Sequence, residues 1–280
     1  MSQSPSDTAE HARSQYDLLG DLSRGYPANH FALQQVLNVL QERQARTVLE
    51  VGIGQGNAIP VLAGAGLEVS GLEIKDDLVA ASRARIVEHG RPADAVVWGD
   101  IGDATTYPTL RRDGGFDAIL ALGVLPHAHD ELTTLGNMRA LLKPGGTVFI
   151  ECRNALFSLF TFNRYTADFI LDDLLADTSP SLRDAVRDFL EPRLRMDLPP
   201  ASVGHATYHN PLDVPRLFRA AGFRDIVIRP FHYHAAPPVL EKELGQEFRD
   251  GSIALENEPS GWRGLFLCSA FLVQATRPVE

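Results

Sequence analysis

Val48 to Asn57 reads VLEVGIGQGN, and this stretch decides the fold. Its first half is apolar and β-branched, which is typical of a buried strand, and Glu50 is the single carboxylate within it. Glycines follow at the alternate positions 52, 54 and 56. Because glycine lets a backbone turn sharply and approach a ligand closely, the stretch predicts a strand, a ligand-binding turn and a helix that starts near Asn57.

The glycine spacing departs from that of NAD-binding turns. Their fingerprint is G-x-G-x-x-G, and its last glycine, counted from Gly52, falls on Asn57. A nicotinamide-dependent oxidoreductase therefore remains an alternative from another functional class, but this sequence lacks one glycine that the NAD-binding fingerprint requires.

Short apolar runs alternate with helical patterns on both sides of this turn. Such alternation predicts a parallel sheet with helices on both faces, a doubly wound α/β fold. The strands are predicted at 47–52, 67–74, 95–100, 116–123 and 147–152, with helices at 76–88 and 130–142.

The alternation stops after Cys152 and resumes near Asn210. The intervening residues carry their own apolar surface, so they predict a helical cap over the carboxyl edge of the sheet rather than a separate domain. The expected segments are an N-terminal tail and helices (1–45), a cofactor-binding core (46–152), the cap for an acceptor (153–209) and the C-terminal part of the core (210–280). A helix from 210, a strand at 225–231 and a final strand within 264–274 complete that last segment.

Acidic residues follow the predicted strands. Glu73 ends the second strand and Asp100 ends the third, so that with Glu50 three carboxylates lie at three successive strands. A carboxylate at the second position can accept both hydroxyls of a ribose, and Asp100 can accept from an adenine amino group. Such a ring of negative charge disfavours a phosphate-bearing cofactor and favours a cationic one.

These features together resemble the class I S-adenosylmethionine-dependent methyltransferases. The family motif E-x-G-x-G-x-G is matched by Glu50 to Gly56, and the match continues through Glu73, Asp100 and the FDAILALGVLPH and LLKPGGTVFI segments. The resemblance implies a Rossmann-like, mostly parallel, seven-stranded sheet of order 3-2-1-4-5-7-6 with the last strand antiparallel. It covers 47–152 well and 210–228 loosely, and leaves the N-terminal helices and the cap without a matching motif.

The resemblance also implies a cofactor site. In it, Gly52, Gly54 and Gly56 would face the methionine moiety, Glu73 the ribose, Asp100 and Ile101 the adenine, and the backbone near Leu122 the amino acid end. The full expected set is Glu50, Gly52, Gly54, Gly56, Asn57, Glu73, Ile74, Asp100, Ile101 and Leu122. The cofactor would be S-adenosyl-L-methionine and the product S-adenosyl-L-homocysteine.

Histidines are the candidate bases, because the pKa of histidine lies near the operating pH. His127 follows the fourth strand, above the expected methyl-donor site, and ranks first; His209 ranks second. His232 and His234 are expected to face opposite sides of a strand, so that one of them at most points inward. We expect no metal, although a site formed by histidines with Asp130 or Glu131 is conceivable.

The cap contains an aromatic stretch, Phe157 to Phe169, that is either core or the wall of an acceptor cavity. If it lines a cavity, the acceptor has a flat or apolar portion. The residues expected to contact the acceptor are Phe160, Asn163, Tyr165 and His232.

Composition narrows the choice of partners. With 26 basic and 36 acidic residues the net charge is −10, which would repel a nucleic-acid backbone. No apolar run is long enough for a membrane helix, and the polar N-terminus does not resemble a signal peptide, so we expect no stable membrane insertion and a cytoplasmic location. Apolar side chains of the N-terminal helices suit a homodimer interface and a contact with the cap equally well.

The sequence thus predicts methyl transfer from S-adenosylmethionine to a small-molecule acceptor, as O- or N-methylation in secondary or sugar metabolism. C-methylation of an electron-rich or isoprenoid acceptor is an alternative, which the aromatic stretch would suit by stabilising a cation. A non-catalytic module that only binds the cofactor is the other alternative from a different class.

Overall fold

The computed structural model describes residues 28–110, 114–197, 206–257 and 261–279. The expected N-terminal tail and helices (1–45) lie partly outside these residues, and the described part is helix α1, Ala28–Glu42. Within the described residues, no helix has both the length and the apolar character needed to cross a bilayer.

In this described part of the chain, eight strands form one sheet. They are β1 Thr47–Val51, β2 Glu68–Glu73, β3 Val96–Trp98, β4 Phe116–Ala121, β5 Leu142–Asn154, β6 Tyr208–His209, β7 Arg224–Tyr233 and β8 Cys268–Thr276. Their order is β3-β2-β1-β4-β5-β8-β7, and β6 pairs with β5 outside that path. Without the two-residue β6, the order is the 3-2-1-4-5-7-6 that the resemblance implies, so this prediction is confirmed.

The helices connect these strands. After α1 they are α2 Ile59–Gly64, α3 Asp76–Glu88, α4 Glu131–Leu141, α5 Arg164–Asp168, α6 Pro180–Leu190, α7 Val214–Ala220, α8 Glu241–Leu244, α9 Gln246–Asn257 and α10 Gly264–Leu267. Side chains cap three of these described helices, among them α4 and α6. Asp130 accepts from the backbone N–H of Thr133 at 3.0 Å before α4, and Ser179 accepts from that of Leu182 at 3.4 Å before α6.

Strand β1 lies between β2 and β4 and is parallel to both. Every residue of β1 is buried, which explains its continuous apolar pattern. Glu50 is aligned with Gly71 on β2 and with Leu120 on β4. The carboxyl ends of β1, β2, β3 and β4 therefore meet at one edge, where open α/β sheets bind ligands.

The final strand runs against β5, as predicted. The N–H of Gly145 donates to the carbonyl of Arg277 at 2.9 Å, and that of Arg277 donates to the carbonyl of Gly146 at 2.8 Å. At the other end of β5, the amide Nδ2 of Asn154 donates to the carbonyl of Cys268 at 2.8 Å. Since the start of β5 meets the end of β8 and the end of β5 meets its start, the two strands are antiparallel.

The described residues group into two compact units. The first comprises those within 1–151, 217–227 and 273–280, and the second those within 152–216 and 228–272. The second unit begins close to the expected start of the cap, but it also takes residues that we expected in the core. One reason is α9, which holds the chain after β7 through a 3.1 Å hydrogen bond from the N–H of Ala235 to Ser252 Oγ.

Two elements near the C-terminus differ from the sequence expectation. The apolar run that starts at Gly264 begins as helix α10, and strand β8 starts only at Cys268. Gly264 is close to β7, because a Cβ on it would lie 2.5 Å from Tyr233 Oη. Helix α9 was not predicted, although Phe248, Ser252 and Glu256 are buried at the four-residue spacing of a helical face.

Candidate active site

The glycine turn after β1 adopts a backbone that only glycine takes without strain. Gly52 has φ +68°, and a Cβ on it would lie 2.6 Å from Cγ2 of Val124, which follows β4. Gly56 has φ +74° with a similarly close approach to Ile59 Cδ1. Non-glycine residues rarely adopt such φ values, and a side chain at either position would collide with its neighbour, so the turn requires glycine at both.

Glu73 organises this turn. Its Oε2 accepts from the N–H of Gly54 at 2.8 Å, and its Oε1 accepts from the N–H groups of Ile74 and Lys75, each at 3.0 Å. The side chain is buried at the carboxyl end of β2. A carboxylate held by three backbone donors is fixed in position by the protein itself.

Glu50 is a buried carboxyl group in the middle of the sheet, 6% exposed. Within the residues that the structure describes, its Oε2 has no hydrogen-bond partner. Burial, and secondly the charge of Glu73, raise the pKa of Glu50 from 4.5 to about 8. A positively charged ligand group beside it would provide the partner that the described protein groups do not.

Hydrogen bonds also fix the residues that follow strand β3 at the same edge of the sheet. Asp100 Oδ1 accepts from the N–H of Gly102 at 2.8 Å, and the buried Ile101 is fixed through its carbonyl, which accepts from Asn137 Nδ2 at 2.8 Å. Ile74, directly after Glu73, is half exposed, and its carbonyl accepts from the indole Nε1 of Trp98 at 2.8 Å. Two apolar side chains, Ile74 and Ile101, thus follow two acidic ones at adjacent strand ends.

Two residues of the expected cofactor set, Asn57 and Leu122, and the first-ranked base, His127, are not buried. Asn57 is exposed and accepts from Arg85 Nη1 at 2.6 Å, so its side chain already has a partner within the protein. Leu122 is half-buried in the turn after β4. His127 is exposed and is the last residue of the helical turn Leu125–His127, which follows β4.

Comparison with known proteins identifies the family. A family model described as a methyltransferase domain matches residues 27–227. The chain belongs to the methyltransferase domain family. It is a class I S-adenosylmethionine-dependent methyltransferase, as its sequence resemblance implies, and its cofactor is S-adenosylmethionine with S-adenosylhomocysteine as product.

Individual relatives agree with this assignment. A ubiquinone biosynthesis O-methyltransferase of Thiobacillus denitrificans is 24% identical over 71% of this chain and 73% of its own length. One of Xanthomonas campestris is 29% identical over 52% of this chain, which spans only 56% of that relative. The crystal structure of an S-adenosylmethionine-dependent methyltransferase from Mesorhizobium loti has a TM-score of 0.52 and 14% identity, covering 88% of this chain and 98% of that one, and thus shares the fold.

The residues of the methyltransferase fit this cofactor. Glu50 offers a carboxylate to its positive charge, the nearly free Cβ position of Gly54 leaves room for backbone approach, and Glu73 offers oxygens to ribose hydroxyls. Ile74 and Ile101 would pack on the adenine and Asp100 would accept from its amino group. The individual residue roles remain predictions, while the identity of the cofactor sets the nicotinamide alternative aside.

We expect Gly52→Ala to weaken S-adenosylhomocysteine binding by about tenfold or more, since the methyl group strains the backbone and displaces Val124. Isothermal titration calorimetry measures this change. Gly66→Ala is the matched control, because Gly66 has φ +80° but open space around its Cβ position. Equal loss of affinity in both variants would show that backbone strain alone, rather than the close approach at Gly52, is responsible.

Residues expected to contact the acceptor lie in the second unit. Phe160 is half-buried, and its ring centroid lies 6.3 Å from those of Phe157 and Phe162. Asn163 caps helix α5, because its Oδ1 accepts from the N–H of Tyr165 at 2.9 Å and from Thr161 Oγ1 at 2.8 Å, and its contact with the acceptor stays a prediction. Tyr165 has its ring 6.1 Å from that of Tyr208.

The histidine pair at the end of β7 is arranged differently from the expectation. The ring centroids of His232 and His234 are 4.8 Å apart, so the two rings share one side, and the prediction of opposite sides was wrong. Residues two apart in a strand face the same way. Burial lowers the pKa of His232 to about 4 and, with His232 beside it, that of His234 to about 3, so both imidazoles are neutral.

The second candidate base, His209, ends β6 and is buried. No group of three or more His, Cys, Asp or Glu side chains within the described ranges is placed to hold a metal ion, so the conceivable site with Asp130 or Glu131 has no structural support there.

Several residues that shape these sites were not predicted. Trp98 and Asn137 hold the backbones of Ile74 and Ile101, which are themselves expected cofactor contacts. Trp98 stands two positions before Asp100 in WGDI, so its place near a strand tip was readable. The position of Asn137 within a helix gave no such signal.

Proposed function

We propose that this methyltransferase transfers the methyl group to an oxygen atom of a small hydroxyl-bearing acceptor. The observation that carries the proposal is the relatives' activity: those described above are O-methyltransferases that match most or half of this chain. N-methylation and C-methylation remain the alternatives. A role in secondary or sugar metabolism stays a prediction, since the relatives are named for ubiquinone biosynthesis.

The bound cofactor supplies an electrophilic methyl group on a sulfonium. The chain's own part is to hold the donor, to exclude water and to accept a proton from the acceptor hydroxyl. Glu50, Glu73 and the glycine turn would hold the donor. His127 and His209 are the proposed bases, and the aromatic side chains around Phe160 would provide a dry surface for the acceptor.

The test is product analysis with S-adenosylmethionine and matched panels of phenols, alcohols, amines and isoprenoids. We expect S-adenosylhomocysteine to form together with a product in which NMR places the new methyl group on oxygen. A methyl group on nitrogen or carbon would replace the proposal by one of the alternatives. Tight cofactor binding without turnover of any acceptor would favour the non-catalytic module.

A further inference from the structure

Two arginines and two tyrosines form a continuous cluster in the second unit. The guanidinium of Arg153 lies 5.9 Å from the ring centroid of Tyr208, whose ring lies 6.1 Å from that of Tyr165. The guanidinium of Arg164 lies 5.7 Å from the ring of Tyr165. We call these four residues the arginine–tyrosine cluster.

The backbone explains why these side chains meet. Arg153 stands next to last in β5 and is aligned with Tyr208 in the parallel strand β6, so their side chains are neighbours on one side of the sheet. Arg164 and Tyr165 open helix α5 directly after its cap, Asn163. The cluster therefore rests at the carboxyl ends of two parallel strands, the edge at which such sheets bind ligands.

The cluster holds positive charge that the described residues do not neutralise well. The guanidinium of half-buried Arg153 has neither a hydrogen bond nor an ion pair within the described ranges; its neighbour there is the Tyr208 ring. Arg164 has Asp168 as its carboxylate partner. The distance from Arg164 Nε to Asp168 Oδ2 is 3.9 Å, which is long for an ion pair. Burial raises the pKa of Asp168, which weakens that pair further near acidic pH.

This arrangement has a matching ligand chemistry. A guanidinium is planar and presents its N–H donors in a fork that fits a carboxylate, while its faces stack on aromatic rings. The guanidinium nitrogens of Arg153 are not buried, and they have no acceptor among the described residues, so a ligand can supply one. Tyr208 is 43% exposed and offers a flat surface beside the guanidinium. A ring with a carboxylate attached would occupy both.

We propose that the arginine–tyrosine cluster binds the carboxylate of a flat, aromatic acid, and that the acceptor of this methyltransferase belongs to that class. The second part rests on the proposed O-methyl transfer. In a chain of net charge −10, a local cationic cluster beside aromatic rings selects an anionic ligand that the rest of the surface repels.

The experiment compares two probes that differ in the carboxylate, 4-hydroxyphenylacetate and 4-ethylphenol. Calorimetry measures their binding to the S-adenosylhomocysteine-saturated protein. We expect the acid to bind the wild type about tenfold more tightly than the phenol, and this preference to vanish in Arg153→Gln and to shrink in Arg164→Gln. Arg216→Gln is the control, because that arginine of the same unit is highly exposed and 3.6 Å from Asp213. It should keep the preference.

Several results would overturn the proposal. These are equal binding of the two probes, no binding of the acid to the wild type, or an unchanged preference in both Arg153→Gln and Arg164→Gln while thermal melting shows the variants folded. If Arg153→Gln does not fold, Arg164→Gln and Arg153→Lys carry the test, with a reduced preference expected in each.

Methyl-transfer assays with the same probes separate this proposal from the proposed function. A carboxylate preference in binding without any O-methylated product supports the cluster and contradicts O-methyl transfer. Equal O-methylation of the phenol and the acid supports O-methyl transfer and contradicts the cluster.

Discussion

We expect the cofactor-free Glu50→Gln variant to unfold at a higher temperature than the wild type above pH 8. Glu50 is buried in β1, and burial raises its pKa to about 8. Above that pH the wild type must hold a desolvated negative charge next to Glu73, whereas glutamine has the same shape and stays neutral.

The direction of the pH dependence follows from proton binding. The folded protein binds the Glu50 proton more tightly than the unfolded chain, whose glutamate has an ordinary pKa of 4.5. The favourable contribution is therefore fully present below pH 4.5, declines as the pH rises, and is lost as the pH passes about 8. The upper limit of this loss is about 5 kcal/mol, or roughly 10 °C in melting temperature for a chain of this size.

Melting curves of the two proteins between pH 5 and pH 9 check this prediction. The wild type should lose stability across that range relative to Glu50→Gln, and the control Glu88→Gln, which alters an exposed carboxylate of α3, should follow the wild type. Parallel curves for wild type and Glu50→Gln would mean that Glu50 is ionised in the free protein. Added S-adenosylmethionine should reverse the ranking, because its positive charge pairs with the wild-type carboxylate.

The second large effect is expected for Glu73→Ala. This variant loses the acceptor of three backbone N–H groups, those of Gly54, Ile74 and Lys75, together with the proposed contact to ribose. We expect S-adenosylhomocysteine affinity to fall about tenfold to hundredfold and the protein to melt at a lower temperature. Calorimetry and thermal melting measure the two effects.

The variant Glu73→Gln separates the loss of the negative charge from the loss of the hydrogen-bond acceptor. Its amide oxygen keeps one acceptor but no charge, so we expect an intermediate loss. The control is Glu68→Ala at the other end of β2, which removes a 2.9 Å ion pair with Arg91 and should leave cofactor affinity unchanged. Unaltered affinity in Glu73→Ala would refute the role of Glu73 in holding the cofactor.

The expected cofactor site could be predicted from the sequence because each of its main residues is marked by its immediate neighbours in the chain. Gly52, Glu73 and Asp100 each stand at the end of an apolar run, and parallel strands bring such ends together without reference to side-chain packing. The strand order followed from the family resemblance and is confirmed. Trp98 was missed because its indole contact to Ile74 joins two strand tips through a side chain.

The acceptor half was less predictable because its contacts join segments distant in sequence. Arg153 and Tyr208 become neighbours only through the pairing of β5 with the two-residue β6, for which the sequence has no pattern. Asn163 is predicted to contact the acceptor because it stands in an aromatic stretch, and the sequence reasoning missed that its side chain also caps α5. This cap is a local interaction of a side chain with the backbone, of the kind that asparagine commonly makes.

The hydrogen bond between Gly54 and Glu73 has a consequence for turnover. Because hydrogen bonds within the protein fix the shape of the turn, binding the adenosine portion requires little ordering of the chain. S-adenosylhomocysteine presents the same adenosine portion, so the spent cofactor fits the preformed turn as readily as the fresh one. Escape of this by-product from the enzyme, and its removal from the surroundings, would then govern how fast successive methyl groups are delivered.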